Sequence, residues 1–245
     1  MKPDYEYGAK TAMQNAVDGN EHADSYAHNT LSLSSFIDRM RKVIASNEGS
    51  EGTINPDDAG AGISVGVRQW NQKTGELPDL LRAWRDANPQ KFRTIFGVYS
   101  SELLDEHWVR SINMHQQHGL ITAMKKALLD PEYRGVQNNL TRNFIGRTAR
   151  FAQENGFRSE YAVAAITDAV NQCGLGAVKR GFDMLELERL KQRVGEVRAV
   201  ERLEEFLARP NGQRRVQNLR KFFSFDRPAP EVIFMKDLLP FSTLV

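Results

Sequence analysis

Apolar residues recur every three or four positions between residues 33 and 44, which is the spacing of one buried face of an α-helix. Ser35 and Asp38, three positions apart, resemble a capping box at its start. Gly49 is the residue type that often ends a helix, and Glu48 directly precedes it. The pattern therefore predicts an amphipathic helix that ends with an acidic side chain.

The predicted helix is followed by a polar loop and a short strand. Residues 50–62 are rich in glycine, aspartate, asparagine and proline, the residue types that form turns. Apolar and polar residues then alternate from Ile63 to Arg68, which is typical of a half-buried strand. We expect this strand to pair with Thr53–Ile54 as a small hairpin.

After the strand, apolar residues return to helical spacing almost to the C-terminus. Pro78, Pro89 and Pro131 fit the first turns of helices, where the missing amide hydrogen is not needed. We expect helices that begin near residues 78, 89, 101, 120, 131, 159 and 183, the last with a bend at Gly195 and an end at Pro210. The chain is thus predicted to be mainly α, with a small β-hairpin near the candidate site.

The chain is long enough, at 245 residues, for one large domain. We expect a polar N-terminal arm over residues 1–30, a helical domain over 31–225 and a C-terminal tail over 226–245. A run of about 18 apolar residues is missing, so we expect no transmembrane segment. The N-terminus lacks the apolar core of a secretory signal peptide, so we expect synthesis in the cytoplasm and export, if any, by another route.

Charge and cysteine content exclude further classes of function. The formal net charge is only +2, so nucleic acid is not an expected partner. Cys173 is the single cysteine, which rules out an internal disulfide framework and a thiolate zinc cluster. His115 and His118 lie three positions apart, with His107 nearby, but the HExxH pattern is missing and surface histidines are expected. We therefore expect no metal and no other cofactor.

Two carboxyl groups in different environments are the strongest candidates for chemistry. Glu48 ends an amphipathic helix, where partial burial would let it keep its proton as a general acid. Asp58 lies in a polar turn, where a carboxylate stays ionised, and Ser64 six positions later is placed to hold an attacking water. Such a pair is what glycoside hydrolysis requires. Glu51 in place of Glu48, and Asp57 in place of Asp58, remain alternatives, as does a purely structural role for the acids.

Further residues are candidates for binding a sugar chain. Gln69 and Trp70 follow the strand, and an indole face stacks on a pyranose ring while amides bind hydroxyl and N-acetyl groups. A core position for Trp70 is an equal alternative. Asp168, Asn171 and Gln172 share one face of a later helix. We expect Asn171 and Gln172 to line the opposite wall, and Asp168 to belong to a network between helices.

The order of these residues resembles the active-site segment of the lysozyme superfamily, which includes phage lysozymes and bacterial chitosanases. Phage lysozymes have a helix that ends in Glu-Gly, an Asp nine positions later, a Thr six beyond it and an apolar-Gly-apolar strand. Glu48-Gly49, Asp58, Ser64 and the run 65–67 match this pattern, with one extra residue in the turn and Ser for Thr. The resemblance covers residues 35 to about 180 and implies a lysozyme-like α+β fold.

Residues 53–81 also resemble a segment of peptidoglycan-degrading toxins and endolysins, TINP.DAG.GIS.G.RQ.NQ..G.LP.LL. The resemblance implies a muramidase that cleaves β-1,4 bonds of peptidoglycan glycan strands, with inversion if the two carboxyl groups lie roughly 6.5–9.5 Å apart. It implies action in the periplasm or on the cell wall. The chain would be a phage endolysin, or an antibacterial effector exported by a contractile (type VI) or other signal-free system and blocked by an immunity protein.

Three alternatives are kept. A chitosanase or a lytic transglycosylase would use the same fold, and the transglycosylase needs only the acid. A non-catalytic helical module would instead recruit an anionic partner or membrane through the basic amphipathic stretch Arg209–Lys221.

Overall fold

The structure is a computed structural model that describes residues 33–58, 60, 62–74, 76–207 and 211–230. The arm predicted over residues 1–30 and most of the tail predicted over 226–245 lie outside the described residues. The division into arm, domain and tail therefore stays a prediction. No helix of the described ranges has both the length and the apolar character that a membrane crossing requires.

The described chain is mainly α, as the sequence predicts. Residues 33–48 are helical and are called α1. The other α-helices are α2 Glu76–Ala87, α3 Pro89–Phe96, α4 Glu106–Ser111, α5 His118–Leu129, α6 Pro131–Glu154, α7 Glu160–Cys173, α8 Leu175–Met184, α9 Leu187–Val194, α10 Glu196–Leu207 and α11 Gly212–Phe222. Short 3₁₀ helices span Gly97–Tyr99, Glu102–Leu104 and Met114–Gln116.

Local capping explains where several helices begin. The Asn88 side chain accepts a hydrogen bond from the amide of Lys91 at the start of α3, which has proline in its first turn. Asp130 and Ser159 cap α6 and α7 in the same way. A side-chain oxygen that satisfies one of the first free amides stabilises a helix by about 1 kcal/mol. These starts were predictable because each depends only on neighbouring residues.

The region expected to be one helix from residue 183 is divided differently. The chain forms α8, α9 and α10, with breaks at Glu186 and Gly195. Gly195 has a φ of 82°, so the expected bend is a complete interruption, and Glu186 adopts a left-handed conformation with a φ of 44°. Neither glycine nor proline marks the first break, so the prediction of a continuous helix there was wrong. The stretch expected to be helical from residue 101 likewise divides into the 3₁₀ helix Glu102–Leu104 and α4.

A three-stranded antiparallel sheet follows α1. Strand β1 (Ile54–Asn55) pairs with β2 (Ser64–Val65), which confirms the predicted hairpin. A third strand, β3 (Trp70–Asn71), pairs with the other edge of β2, with Ser64 opposite Asn71. The sequence analysis did not predict this strand. The alternation of apolar and polar residues continues through the tight turn between β2 and β3, so the pattern indicated one strand instead of two. Gly66, with a φ of 73°, and the hydrogen bond from the amide of Gln69 to its carbonyl close that turn.

Two hydrophobic cores lie on either side of the candidate site. The first is centred on α7, in which every residue from Glu160 to Val170 is buried, and it includes α1. The second contains the buried side of the sheet together with α2, α3 and α5. Helix α6 contributes Tyr133 to the second core and Phe144 to the first, so it connects the two. The end of α1 belongs to the first core and the sheet to the second, and α6 joins the two.

Candidate active site

Glu48 is the last residue of α1 and is held by partners from two distant helices. Its Oε1 accepts a hydrogen bond from Nη2 of Arg215 at 2.5 Å and from Nδ2 of Asn171 at 3.3 Å. The Glu48 side chain is 16 % exposed, so it reaches solvent while its position is fixed. Glu48 therefore has the predicted helix-end position and partial burial, and its role as a general acid stays a prediction.

Arg215 joins Glu48 to a second, fully buried carboxylate. Its Nη1 lies 3.0 Å from Oδ1 of Asp168, whose side chain is 0 % exposed. Asn47 donates a further bond to the same Asp168 oxygen at 3.2 Å. The network therefore connects α1, α7 and α11, in agreement with the expectation that Asp168 bridges helices.

The sequence analysis missed Arg215 as a site residue. It belongs to the basic stretch that the alternative of a binding module assigned to an anionic surface. In the structure Arg215 is buried, Arg220 pairs with Glu201 at 3.3 Å, and Arg214 donates to the carbonyl of Asn47. Part of the charge of α11 is therefore directed to other parts of the same chain.

On the side of the sheet, Asp58 forms a second cluster. Ser64 Oγ donates to Asp58 Oδ2 at 2.5 Å, and Asn71 Nδ2 donates to Ser64 Oγ at 3.0 Å and to Asp58 Oδ2 at 3.4 Å. Ser64 and Asn71 are cross-strand neighbours, so the sheet fixes both donors. Ser64 is fully buried, and its hydroxyl as placed orients Asp58. A contact between the Ser64 hydroxyl and an attacking water molecule stays a prediction.

The two rival carboxylates lie outside these clusters. Asp57 is exposed, and its Oδ1 accepts a bond from the amide of Gly60 within the turn. Glu51 faces Arg41, with 3.8 Å between Oε1 and Nη2, on another surface of α1. Geometry therefore favours Glu48 and Asp58 as the candidate pair.

A pocket of about 380 Å³ lies between the two cores, next to Glu48. Glu48 does not line it, but Asn171 does, and Asn171 contacts Glu48. Arg68, on the side of the sheet, donates from Nε to Asn171 Oδ1 at 3.0 Å and from Nη2 to Glu76 Oε1 at 3.1 Å. Burial lowers the pKa of the Arg68 guanidinium, and the nearby carboxylate of Glu76 partly offsets this effect. Asn171 thus connects the lining of the pocket to Glu48 through hydrogen bonds.

The four predicted sugar-binding residues occupy different places. Asn171, Gln172 and Trp70 line the pocket, although Trp70 is only 2 % exposed and belongs mainly to the second core. The Gln69 side chain turns back and donates to the carbonyl of Gly66 at 2.9 Å. Substrate contact by these residues stays a prediction, with the pocket favouring Asn171 and Gln172.

The candidate zinc ligands are dispersed. His107, His115 and His118 are all exposed. Among the described residues, no group of three or more His, Cys, Asp or Glu side chains is arranged to hold a metal ion. Cys173, the single cysteine, lines the pocket.

No protein-family model and no curated protein sequence matches the chain. Among solved structures, it is similar to a chitosanase from Bacillus subtilis MY002, crystallised as a Glu-to-Ala mutant in complex with 6 GlcN. The sequences are 18 % identical, and the TM-score is 0.59 over 78 % of this chain and 88 % of the chitosanase. Similarity at this level of identity shows the fold. The predicted fold class, mainly α and lysozyme-like with a small sheet, is thereby confirmed.

Proposed function

We propose that this protein is a glycoside hydrolase that cleaves β-1,4 bonds of peptidoglycan, a muramidase. The observation that carries the proposal is the presence of two carboxyl groups with unlike partners, one at the end of α1 and one tied to the sheet. Glu48 is bound by Arg215 and Asn171, whereas Asp58 is bound by Ser64 and Asn71. Two carboxyl groups with separate roles are the usual machinery of glycoside hydrolysis.

In the proposed mechanism, Glu48 donates its proton to the glycosidic oxygen as the bond to the anomeric carbon breaks. Arg215 stabilises the resulting carboxylate. Asp58, oriented by Ser64 and Asn71, takes a proton from a water molecule whose oxygen attacks the anomeric carbon. The proton lost by Glu48 is on the leaving sugar hydroxyl, and Asp58 holds the proton from water. The charges of the two carboxyl groups are thus exchanged.

The substitution Glu48→Gln tests the acid. It keeps the shape of the side chain and an oxygen for Arg215, but removes the transferable proton. We expect loss of about 10²–10⁴-fold in the rate of clearing purified cell walls, with circular dichroism unchanged. Glu102→Gln, at an exposed position outside the site, is the control and should clear walls at the wild-type rate. Clearing by Glu48→Gln as fast as wild type would reject the assignment.

The substrate is identified by the new ends of the products. Muramic acid at the reducing end indicates muramidase cleavage, and anhydro-muramic ends indicate a lytic transglycosylase. The structural neighbour was crystallised with 6 GlcN, so chitosan is the second candidate substrate. Release of glucosamine oligomers from chitosan, without any product from peptidoglycan, would replace the muramidase proposal by that of a chitosanase.

Cell-wall cleavage implies a place of action outside the cytoplasm, as an endolysin or as an exported antibacterial effector. An immunity protein for an effector would act by covering the pocket next to Glu48. Expression in a Gram-negative host with and without an added export signal tests this part of the proposal. Lysis is expected only when the chain is directed to the periplasm and Glu48 is intact. Equal growth of host cells that keep the chain in the cytoplasm and of cells that export it would contradict a place of action outside the cytoplasm.

A further inference from the structure

We propose that Arg68 is a positioning residue of the candidate acid, because it fixes the Asn171 amide that holds one oxygen of Glu48. This inference rests on the proposed function and adds to it a residue that the sequence analysis did not select. It also assigns the proton of Glu48 to a stated oxygen atom.

Arg68 lies in the tight turn between β2 and β3 and reaches from the sheet to the first core. Cζ of its guanidinium is 3.7 Å from the ring centroid of Phe144, which belongs to the first core. It is 5.5 Å from the ring centroid of Trp70, which belongs to the second. Arg68 is only 8 % exposed. A planar guanidinium stacked on an aromatic ring keeps a fixed direction, so Arg68 presents its donors in one orientation.

This orientation determines which end of the Asn171 amide faces Glu48. Arg68 Nε donates to Asn171 Oδ1 at 3.0 Å, and Asn171 Nδ2 donates to Glu48 Oε1 at 3.3 Å. A guanidinium can only donate hydrogen bonds, and an ionised carboxylate can only accept them. The reversed amide would place its NH₂ group against Arg68 Nε and its oxygen against Glu48. Arg68 therefore makes Asn171 a donor to Glu48.

The donors on Glu48 distinguish its two carboxyl oxygens. Oε1 faces N–H groups of both Arg215, at 2.5 Å, and Asn171. A proton on Oε1 would point at these N–H groups, whereas Oε2 accepts no hydrogen bond from any residue that the structure describes. The proton that Glu48 transfers in the proposed mechanism is therefore on Oε2. Arg215 and Asn171 hold the carboxyl group in the rotation that presents this oxygen to the glycosidic bond.

The other partner of Arg68 shows that its removal should be tolerated by the fold. Arg68 Nη2 lies 3.1 Å from Oε1 of Glu76, whose side chain is 38 % exposed. Burial lowers the pKa of the Arg68 guanidinium, and the charges of Glu76 and Glu48 raise it in part. A half-exposed ion pair of this kind adds little to stability. Without Arg68, Glu76 stays solvated and no buried carboxylate loses its cation, so the main loss falls on Asn171 and Glu48.

Arg68→Met is the first test, because methionine keeps the length of the side chain and its contact with Phe144. We expect kcat on a soluble peptidoglycan oligomer to fall by about 10²-fold with KM unchanged, since the acid is misplaced while the sugar still binds. Lys191→Met is the matched control. Lys191 lies 5.0 Å from the ring centroid of Phe157 and pairs with the exposed Glu188, as Arg68 does with Phe144 and Glu76. It should leave kcat unchanged.

A double-mutant cycle shows whether Arg68 acts through Asn171. Asn171→Ala alone should lower kcat as much as Arg68→Met, and the two changes together should cost no more than either one. Arg68→Lys should behave as Arg68→Met does, because a lysine keeps the charge but cannot hold Asn171 and Glu76 with one planar group. Independent losses that multiply in the double variant would overturn the inference. A raised KM with kcat unchanged would also overturn it and assign Arg68 to substrate binding.

A measurement that needs no activity keeps the inference separate from the proposed function. In protein labelled with ¹⁵N-asparagine, the side-chain amide signal of Asn171 is the one that Asn171→Ala removes. We expect its protons to exchange with water at least about tenfold faster in Arg68→Met or Arg68→Lys than in the wild type. Unchanged exchange would overturn the inference. Faster exchange in a chain whose wild type cleaves neither peptidoglycan nor chitosan would leave the link between Arg68 and Asn171 standing, and the proposed function would fail.

Discussion

Arg215 is the residue on which the candidate site depends most, because one guanidinium serves two carboxylates. Its contacts with Glu48 and Asp168 are made with little solvent around them, as the Arg215 side chain is only 4 % exposed. A buried charge without its partner is strongly destabilising, whereas the intact pair contributes little net stability. The role of this network is therefore to fix the position of Glu48 rather than to stabilise the fold.

Substitution of Arg215 should affect both stability and activity. Arg215→Gln leaves the carboxylate of Asp168 buried without its cation, so we expect the free energy of unfolding to fall by about 3–5 kcal/mol. Asp168→Asn combined with Arg215→Gln removes that buried charge, and most of the lost stability should return without the activity. Urea unfolding and cell-wall clearing measure the two effects. Arg220→Gln, which breaks an exposed pair with Glu201, is the matched control on α11 and should cost less than about 1 kcal/mol.

Recovery of activity in the double variant would contradict a direct role for Arg215 at Glu48. In that case the guanidinium would serve only to neutralise Asp168.

Which contacts of these residues could be predicted from the sequence depended on how far apart the two partners lie along the chain. The contact between Asp58 and Ser64 joins residues six positions apart, within one turn and strand, so a local pattern was enough. Arg215 is 167 positions from Glu48, and the packing of α11 against α7 and against the end of α1 brings them together. Charges in an amphipathic helix are usually solvated, so its local sequence favoured a surface position. Gln69 was misleading for another reason, because a left-handed backbone with a φ of 53° turns its amide towards Gly66.

Among the secondary-structure elements, the tight turn between β2 and β3 decides where the Asp58 cluster lies. Gly66 has a φ of 73°, and a Cβ atom there would be 2.3 Å from Gln137 Oε1 and 2.9 Å from Cζ3 of Trp70. Both neighbours are buried, so neither can move away easily. Glycine is therefore required by conformation and by close approach, and the turn places Asn71 opposite Ser64.

Gly66→Ala compared with Gly60→Ala separates these two requirements. Both residues have a positive φ, but a Cβ atom at Gly60 would meet no described residue within 4 Å. Gly60→Ala should therefore lose only the conformational term of about 1–2 kcal/mol. Gly66→Ala should lose this and a further amount of about 1–3 kcal/mol from overpacking. Urea unfolding measures both, and equal losses would show that Gln137 and Trp70 adapt to the added methyl group.

Helix boundaries were predictable where a side chain or a glycine marks them. Asn88, Asp130 and Ser159 cap α3, α6 and α7, and Gly195 separates α9 from α10. The break between α8 and α9 has no such mark. Glu186 takes a left-handed conformation there, which an L-residue adopts only when surrounding contacts stabilise it. The periodic apolar stripe continues across that point, so a continuous helix was the reasonable but wrong prediction.

In the whole molecule, the two candidate carboxyl groups belong to elements of different cores. Glu48 ends a helix of the first core, and Asp58 is tied by Ser64 and Asn71 to the sheet of the second. The carboxyl groups share no hydrogen-bond partner among the described residues. This arrangement could not be derived from local patterns, because it depends on how α6 joins the cores.

The stereochemistry of cleavage tests the role proposed for Asp58. If Asp58 activates water on the face of the sugar opposite Glu48, the β-linked substrate gives an α-anomer as its first product. Proton NMR of a soluble peptidoglycan oligomer, recorded within the first minutes, should show the α-anomeric signal before mutarotation equalises the two forms. Asp58→Asn should abolish both products. A β-anomer formed first would mean that a carboxylate attacks the sugar directly, which requires the two carboxyl groups to lie only about 5 Å apart. Products without a free anomeric hydroxyl would assign the reaction to Glu48 alone, with the sugar's own hydroxyl as nucleophile, and Asp58→Asn would then retain activity.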